Sequence, residues 1–225
     1  MPHQEAAYLL RAERTVLASV AHPGVPEVFD SGMAHGRPYL VMRLVRGSSL
    51  SDLLAAHGPL HPDRVRQLGT QLCAVLTAVH AAGFVHGDIR PANIMLTPAG
   101  TVVLVDFGLA GPVGSTQHQL HHVFARPVEV VPDSAPGIGA EPTADLYALG
   151  HTLRTSLAGE PGRAPVTTTV PPGLAAGIDA LLATDPRDRP SSAQEARRAL
   201  AGHVTRTVTT RYPTTAVTPV AETAQ

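Results

Sequence analysis

The sequence predicts an α+β fold, mostly helical, in one domain with a short polar tail. Two observations carry that reading. Long stretches with apolar residues every three to four positions recur along the chain. Between them lie only short runs of strand-forming residues, paired around turn signals. A length of 225 residues fits one such domain, and 44% hydrophobic content is ample for its core. With four Phe, four Tyr and no Trp, Leu, Val and Ala must fill that core.

The first helix is predicted over 5–20, where Ala6, Leu9, Leu10, Glu13, Val16, Leu17 and Val20 share helical spacing; His22-Pro23-Gly24 ends it. Two strand-like runs, VPEVFDSG and RPYLVMRLV, meet at a turn around Ala34-His35-Gly36 and read as a hairpin. A lone hairpin is marginal, so further strands or a helix must lie against it. The next helix opens at His61-Pro62-Asp63, with Pro at the first helical position and an acid in the first turn. Val65, Leu68, Leu72, Val75, Leu76 and Val79 form its buried stripe, and Gly83 is its C-cap. Short strands FVH, NIML and TVVLVD follow, the last two turning at Pro98-Ala99-Gly100. Residues 111–142 are rich in Gly, Pro and His and too long for an ordinary connection, which marks a functional loop. Thr143 is predicted to cap the helix ADLYALGHTLRTSL. GLAAGIDALLA forms another, and Ser191 with Gln194 makes a capping box for AQEARRALAG. Beyond His203, eight threonines without apolar periodicity predict a disordered tail over 204–225.

Composition excludes several classes of function. A net charge of −1 gives no long-range field that would recruit nucleic acid or an anionic membrane. All 17 basic residues are arginine, so no position can carry a Schiff base, a low-pKa amine or a lysine phosphate clamp. Cys73, the single cysteine, rules out an intrachain disulfide; its apolar helical setting reads as a buried, inert thiol in a reduced cytoplasmic protein. No apolar run approaches the ~18 residues a membrane span needs, and the N-terminus lacks a signal-peptide pattern. His118, His121 and His122 look like a metal cluster, but no cysteine helps to close a zinc ligand set.

The chemistry concentrates in "HGDIRPANIML". Asp88 and Asn93 sit five apart on a loop between helix and strand, and Asp106 ends the next strand of the same hairpin. Phosphoryl transfer needs this inventory: one carboxylate to orient or deprotonate an acceptor hydroxyl, and oxygen ligands for Mg²⁺ on the nucleotide. Asp and Asn are also turn formers, so an isolated Asp-x4-Asn says little. Joined to Asp106-Phe107-Gly108 at this spacing, it says much more.

On these motifs the chain, from about residue 8 to 202, resembles bacterial Ser/Thr protein kinases of eukaryotic type. The resemblance implies a protein-kinase-like fold over 1–203, with a partial N-lobe (1–45) and a helical C-lobe (46–203). By it, Asp88 is the catalytic-loop Asp, Asn93 and Asp106 are Mg²⁺ ligands, and Arg90 takes the place of the family's catalytic-loop lysine. "RPYLVMRLVRGSSLSDLL" resembles the hinge, with Met42 as gatekeeper and the backbones of Arg43 and Val45 contacting adenine, under which Met95 lies. "ADLYALG" resembles the helix whose Asp, here Asp145, ties down the catalytic-loop backbone. "DPRDRP" matches a late family signature, and its Arg189 is expected to pair with Asp133. Leu17, Val28, His86 and Phe107 would stack as a spine, His86 as a packed structural histidine. His-Gly-Asp is shared with aminoglycoside and choline phosphotransferases, which makes a small-molecule acceptor a third reading.

The pattern is broken at its start. Glu13 falls where the family's N-lobe helix carries its glutamate. Only twelve residues precede it, none Gly or Lys, so the Gly-rich loop and the strand lysine are expected to be absent. Gly87 replaces the arginine that reads loop phosphorylation, and Arg126 stands near the position of a threonine that touches the catalytic Asp. Two functions follow from the resemblance: ATP- and Mg²⁺-dependent transfer to a protein hydroxyl, or a pseudokinase that binds or regulates a partner.

Overall fold

Pro2 opens the first helix, at the first-turn position where a missing N–H costs nothing, so α1 (Pro2–Ser19) begins earlier than its apolar stripe. The structure, a computed structural model, describes residues 2–115, 140–158 and 169–201. Val16, Leu17 and Val20 of α1 and the segment after it are buried. The chain then pairs β1 (Val28–Ala34) with β2 (Arg37–Met42) as an antiparallel hairpin. His35 and Gly36 both adopt left-handed backbone, φ 49° and 75°. That is the two-residue turn whose twist matches the strands. Helix α1 lies against this hairpin and supplies the support a lone strand pair lacks. Val28, Leu40 and Met42 face the core, while Phe29 (61% exposed), Met33 and Val41 face outward.

Sequence reading missed one helix, α2 (Leu50–His57). It follows β3 (Ser48–Ser49) and is capped by Ser49, whose hydroxyl accepts the Asp52 N–H. The long helix α3 (Pro62–Ala81) starts at the expected Pro62, with the His61 ring as its cap. Its stripe, Val65 to Val79, is at most 1% exposed and packs against the helices that follow and against β6. Cys73 sits in that stripe; burial, only slightly opposed by Arg197, pushes its thiol up to about 12, so it stays protonated. Ala82 caps α3, and Gly83 follows in left-handed backbone at φ 85°.

The remaining strands are short: β4 (Phe84–Val85), β5 (Ile94–Leu96), β6 (Val102–Leu104) and β7 (Gly111–Pro112). They form a three-stranded sheet in the order β3-β5-β6 and a pair β4-β7. Helices α4 (Pro142–Ala158), α5 (Pro172–Leu181) and α6 (Ala193–Ala201) close the core from below. Two predicted caps are corrected. Thr143 lies inside the first turn of α4, because Pro142 already occupies its first position. The α6 box sits one residue on: the Ser192 hydroxyl accepts the Glu195 N–H, and the Glu195 carboxylate reaches back to the N–H and hydroxyl of Ser191. Asp133, Arg126, the three loop histidines and the tail lie outside the described residues.

Candidate functional site

The site is built where α3 ends and β4 begins. Asp145, in the first turn of α4, is 2% exposed and holds the loop from beneath. Its carboxylate accepts the backbone N–H of His86 (2.9 Å) on one oxygen and that of Gly87 (2.9 Å) on the other. The His80 ring, in the last turn of α3, meets the first oxygen at 2.8 Å. Burial alone would raise the Asp145 pKa, but the His80 hydrogen bond, the neighbouring imidazoles and the Gly87 N–H outweigh it and hold the pKa below the ordinary carboxylate value.

His86 is fully buried, and burial pushes its pKa down against the pull of Asp145 and the Val105 carbonyl. Its hydrogen bonds fix one tautomer. Nδ1 accepts the Asp88 N–H (3.2 Å), so the proton is on Nε2, which donates to the Val105 carbonyl (3.3 Å). The ring also meets Phe107 edge-on at 4.6 Å. Leu17 and Phe107 belong to the same buried cluster, with Val28 packed against it.

Asp88 and Asn93 are brought together. The Asn93 Nδ2 donates to the Asp88 carboxylate (2.7 Å) and to the Asp88 carbonyl (2.9 Å), while its backbone N–H donates to the Arg90 carbonyl. A single turn of 3₁₀ helix, Pro91–Asn93, makes this closure local: Pro91 presets the turn and the extended Arg90 leads into it with its side chain exposed. The Val105 N–H then donates to the Asn93 carbonyl, which ties the loop to the residue before Asp106.

Asp106 is exposed and takes left-handed backbone, φ 63°, unusual for a side chain with a Cβ; its carboxylate accepts the Gly108 N–H at 3.3 Å. Glu13 reaches this segment from α1. Burial first, then the Asp106 charge, raise its pKa, partly offset by a hydrogen bond from the Phe107 N–H. Among the described residues Glu13 makes no ion pair.

The other predicted positions lie on β2 and the segment after it, on β5, and just before the last helix. Met42 ends β2, half-buried against the core. The Arg43 N–H donates to the Glu27 carbonyl (2.8 Å), and its exposed guanidinium pairs with the Glu27 carboxylate. Val45 is half-buried, and Met95 lies in β5 opposite Ser49. Arg189 is 4% exposed; it donates to the carbonyls of Ala183, Thr143 and Thr184 and stacks over Tyr147 at 4.4 Å.

The sequence profile for the protein kinase domain matches residues 3–169, well over half of the chain. The chain belongs to the protein kinase family. Its branch follows from the relatives. Over 83% of this chain it is 32% identical to the serine/threonine-protein kinase PknB of Mycobacterium tuberculosis and 31% identical to PknB of Mycobacterium leprae. It is 30% identical to the serine/threonine-protein kinase PknK of Mycobacterium tuberculosis, again over 83% of its length. The kinase domain described here spans 34% of the length of PknB and 19% of that of PknK. The family is therefore that of bacterial Ser/Thr kinases of eukaryotic type, and the fold is α+β and kinase-like.

Sequence reasoning missed two residues of this kinase domain that shape the site. His80 carries no local motif; its partner lies 65 positions away. Gln71 clamps the β5–β6 turn, donating to the Gly100 carbonyl and accepting the Val102 N–H. Among the described residues no helix is long and apolar enough to cross a membrane.

Proposed function

We propose that this kinase domain transfers the γ-phosphoryl group of ATP to a hydroxyl of a protein substrate. The observation that carries the proposal is the Asp88–Asn93 closure. Asn93 spends its Nδ2 on Asp88, which leaves its carboxamide oxygen to serve as a ligand, and the Val105 N–H bond to the Asn93 carbonyl ties it to the segment that carries Asp106. Two protein oxygens, from Asn93 and Asp106, suit Mg²⁺, which binds through few side chains and fills its shell with water and phosphate. Bound there, Mg²⁺ would neutralise charge on the phosphates.

The chain's own residues then divide the work. Asp88 accepts a hydrogen bond from the acceptor hydroxyl, aims its oxygen in line with the γ-phosphorus and takes up its proton as the new P–O bond forms and the bond to ADP breaks. Arg90, exposed beside the loop, neutralises the transferring group; its planar fork spreads the charge more widely than an amine would. The Arg43 and Val45 backbones, between Met42 and Met95, receive the adenine. The family match favours a protein acceptor over a small molecule.

A second reading, a pseudokinase that binds a partner, is favoured by Glu13. Its carboxylate leans on the Phe107 N–H, and a chain without lysine offers no ammonium to join it to the nucleotide phosphates. Two measurements separate the readings. Mg²⁺–ATP at about a hundred times its dissociation constant adds about 2.7 kcal/mol, a rise in Tm of roughly 5–11 °C for a domain of this size. Transfer of labelled phosphate to a generic protein acceptor, lost in Asp88→Asn, supports catalysis. A thermal shift without transfer leaves the binding module, and no shift at millimolar Mg²⁺–ATP removes nucleotide from the account.

A further inference from the structure

Two carboxylates from distant parts of the chain meet beside the Phe107 segment. Glu13 lies on α1 one turn before Leu17, and Leu17 packs in the same buried cluster as Phe107. That packing brings the Glu13 carboxylate onto the Phe107 N–H, one residue past Asp106, where burial and the Asp106 charge both act against it. Among the described residues neither carboxylate enters an ion pair, and none of the 17 basic residues of the chain is a lysine. Oxygens remain for a ligand. Asp106 Oδ1 accepts the Gly108 N–H at 3.3 Å, which leaves Oδ2. Asn93, 7% exposed, spends its Nδ2 on Asp88 and keeps its carboxamide oxygen, and its backbone carbonyl accepts the Val105 N–H next to Asp106.

We propose that Glu13 is itself a metal ligand: it shares a hard divalent cation, Mg²⁺ or Mn²⁺, with Asp106, so that the domain binds the metal before any nucleotide arrives. Asp106 and the Asn93 carboxamide alone offer the cation a single negative charge and leave the rest to the phosphates. A second carboxylate balances the charge, and ligand charge count is a main lever on affinity for such cations. A cation held by both also turns the Glu13–Asp106 repulsion into a bridge from α1 to the Phe107 segment. The inference rests on the reading of Asp106 as the metal side of the site.

The test uses the full chain and Mn²⁺ alone, without nucleotide, and reads binding from the electron paramagnetic resonance of the free ion. The wild-type chain should take up Mn²⁺. Glu13→Gln should weaken that binding at least about tenfold, the loss that follows even from an outer-shell partner, and Asp106→Asn should weaken it as much or more. Glu27→Gln, which removes a carboxylate from the exposed pair with Arg43, should leave it unchanged. A ligand, unlike a mere neighbour, also sets metal preference. Glu13→Cys should trade Mn²⁺ for Cd²⁺ and show a thiolate-to-Cd²⁺ charge-transfer band, which the buried, protonated Cys73 does not supply. Undiminished Mn²⁺ binding in Glu13→Gln, or Glu13→Cys without the Cd²⁺ band, overturns the proposal. Should these variants fail to fold, the wild-type chain decides: the Glu13 carboxyl carbon resonance must move on titration with Mg²⁺, and an unmoved signal sinks the idea. Mg²⁺–ATP that raises Tm where Mn²⁺ alone does not bind keeps the proposed function and overturns this inference. Mn²⁺ held through Glu13 with no response to Mg²⁺–ATP keeps the metal site and removes the nucleotide.

Discussion

Arg189→Met should destabilise the kinase domain strongly, and the size of the effect follows from what the guanidinium touches. Arg189 donates to three backbone carbonyls, Ala183 at 2.8 Å, Thr143 at 3.2 Å and Thr184 at 3.3 Å, and stacks on Tyr147. Hydrogen bonds from a charged donor are worth about 1.5–3 kcal/mol each and the stacking about 0.5–2 kcal/mol. The three bonds share one group and are not additive, and Met recovers part of the buried area, so the net loss is roughly 3–5 kcal/mol. For a domain of this size that is a fall in Tm of roughly 6–20 °C, read by thermal unfolding and by the urea midpoint. Arg189→Lys should recover less than half, since one ammonium cannot reach three carbonyls. A loss below about 1 kcal/mol in Arg189→Met would refute the reasoning, because it would mean these carbonyls find water at no cost. Arg187 is the control: it binds Asp185 at 2.7 Å and, through that hydrogen bond, holds the Asp185 pKa down at about 2, yet its side chain is 90% exposed. Arg187→Ala should leave the midpoint unchanged. The Asp133–Arg189 pair expected from the sequence is open to the same assay: Asp133→Asn should lower the midpoint in the wild-type chain and leave Arg189→Met unaffected.

Acidification below the ordinary imidazole value of about 6.5 should weaken the fold, because His86 and His22 are both held below it by burial and the unfolded chain then binds more protons. His86 contributes a slope of at most about 1.4 kcal/mol per pH unit, read as the urea midpoint between pH 7.5 and 5.5, and a midpoint rising on acidification contradicts it. The depressed Asp145 adds to this only below about pH 4, where its carboxylate takes a proton in the unfolded chain first. Two glycine substitutions in α5 should differ in sign. A Cβ at Gly177 would stand 2.9 Å from the Ala199 carbonyl oxygen, so Gly177→Ala should cost about 1–2 kcal/mol even after its gain in helix propensity. Gly173 has nothing within 4 Å, so Gly173→Ala should gain about 0.5–1 kcal/mol in the same unfolding assay.

What the sequence made legible was local. The His35-Gly36 turn, the Pro62 start of α3, the Gly83 reversal and the buried stripe of α3 each depend on a few neighbouring residues, and each stands where the pattern put it. The misses have physical reasons. Helix α2 has only eight residues, too few for a periodic signal, and its Ser49-x-x-Asp52 start lay inside a stretch read as an extended hinge. The α6 cap shifted by one because Ser191 and Ser192 both fit a box, and only the geometry of Glu195 chooses between them. Among the site residues, Asp88 and Asn93 were legible because one turn joins them. The bonds from Asp145 to His80, His86 and Gly87 span 58 to 65 positions, and nothing local in the sequence announces His80.

The way these residues are held separates two halves of the site. Asp88 is fixed by groups that all lie after residue 79: His80, His86, Asn93, Val105 and Asp145, joined by hydrogen bonds in which the charged members are buried and the imidazole of His86 is neutral. Salt screens such a network little, since its central carboxylate is out of water. Asp106 is held more lightly, by left-handed backbone and a 3.3 Å bond from Gly108, with Glu13 attached through Phe107. Glu13 and Asp106 repel each other, and it is this repulsion, added to burial, that raises the Glu13 pKa. A divalent cation on Asp106 would cancel the repulsion, so metal would tighten the contact between α1 and the Phe107 segment and leave the Asp88 loop as it stands. On the proposed reading, the acceptor side is therefore preorganised by the core, while the side proposed to hold metal is the one whose order would depend on its ligand.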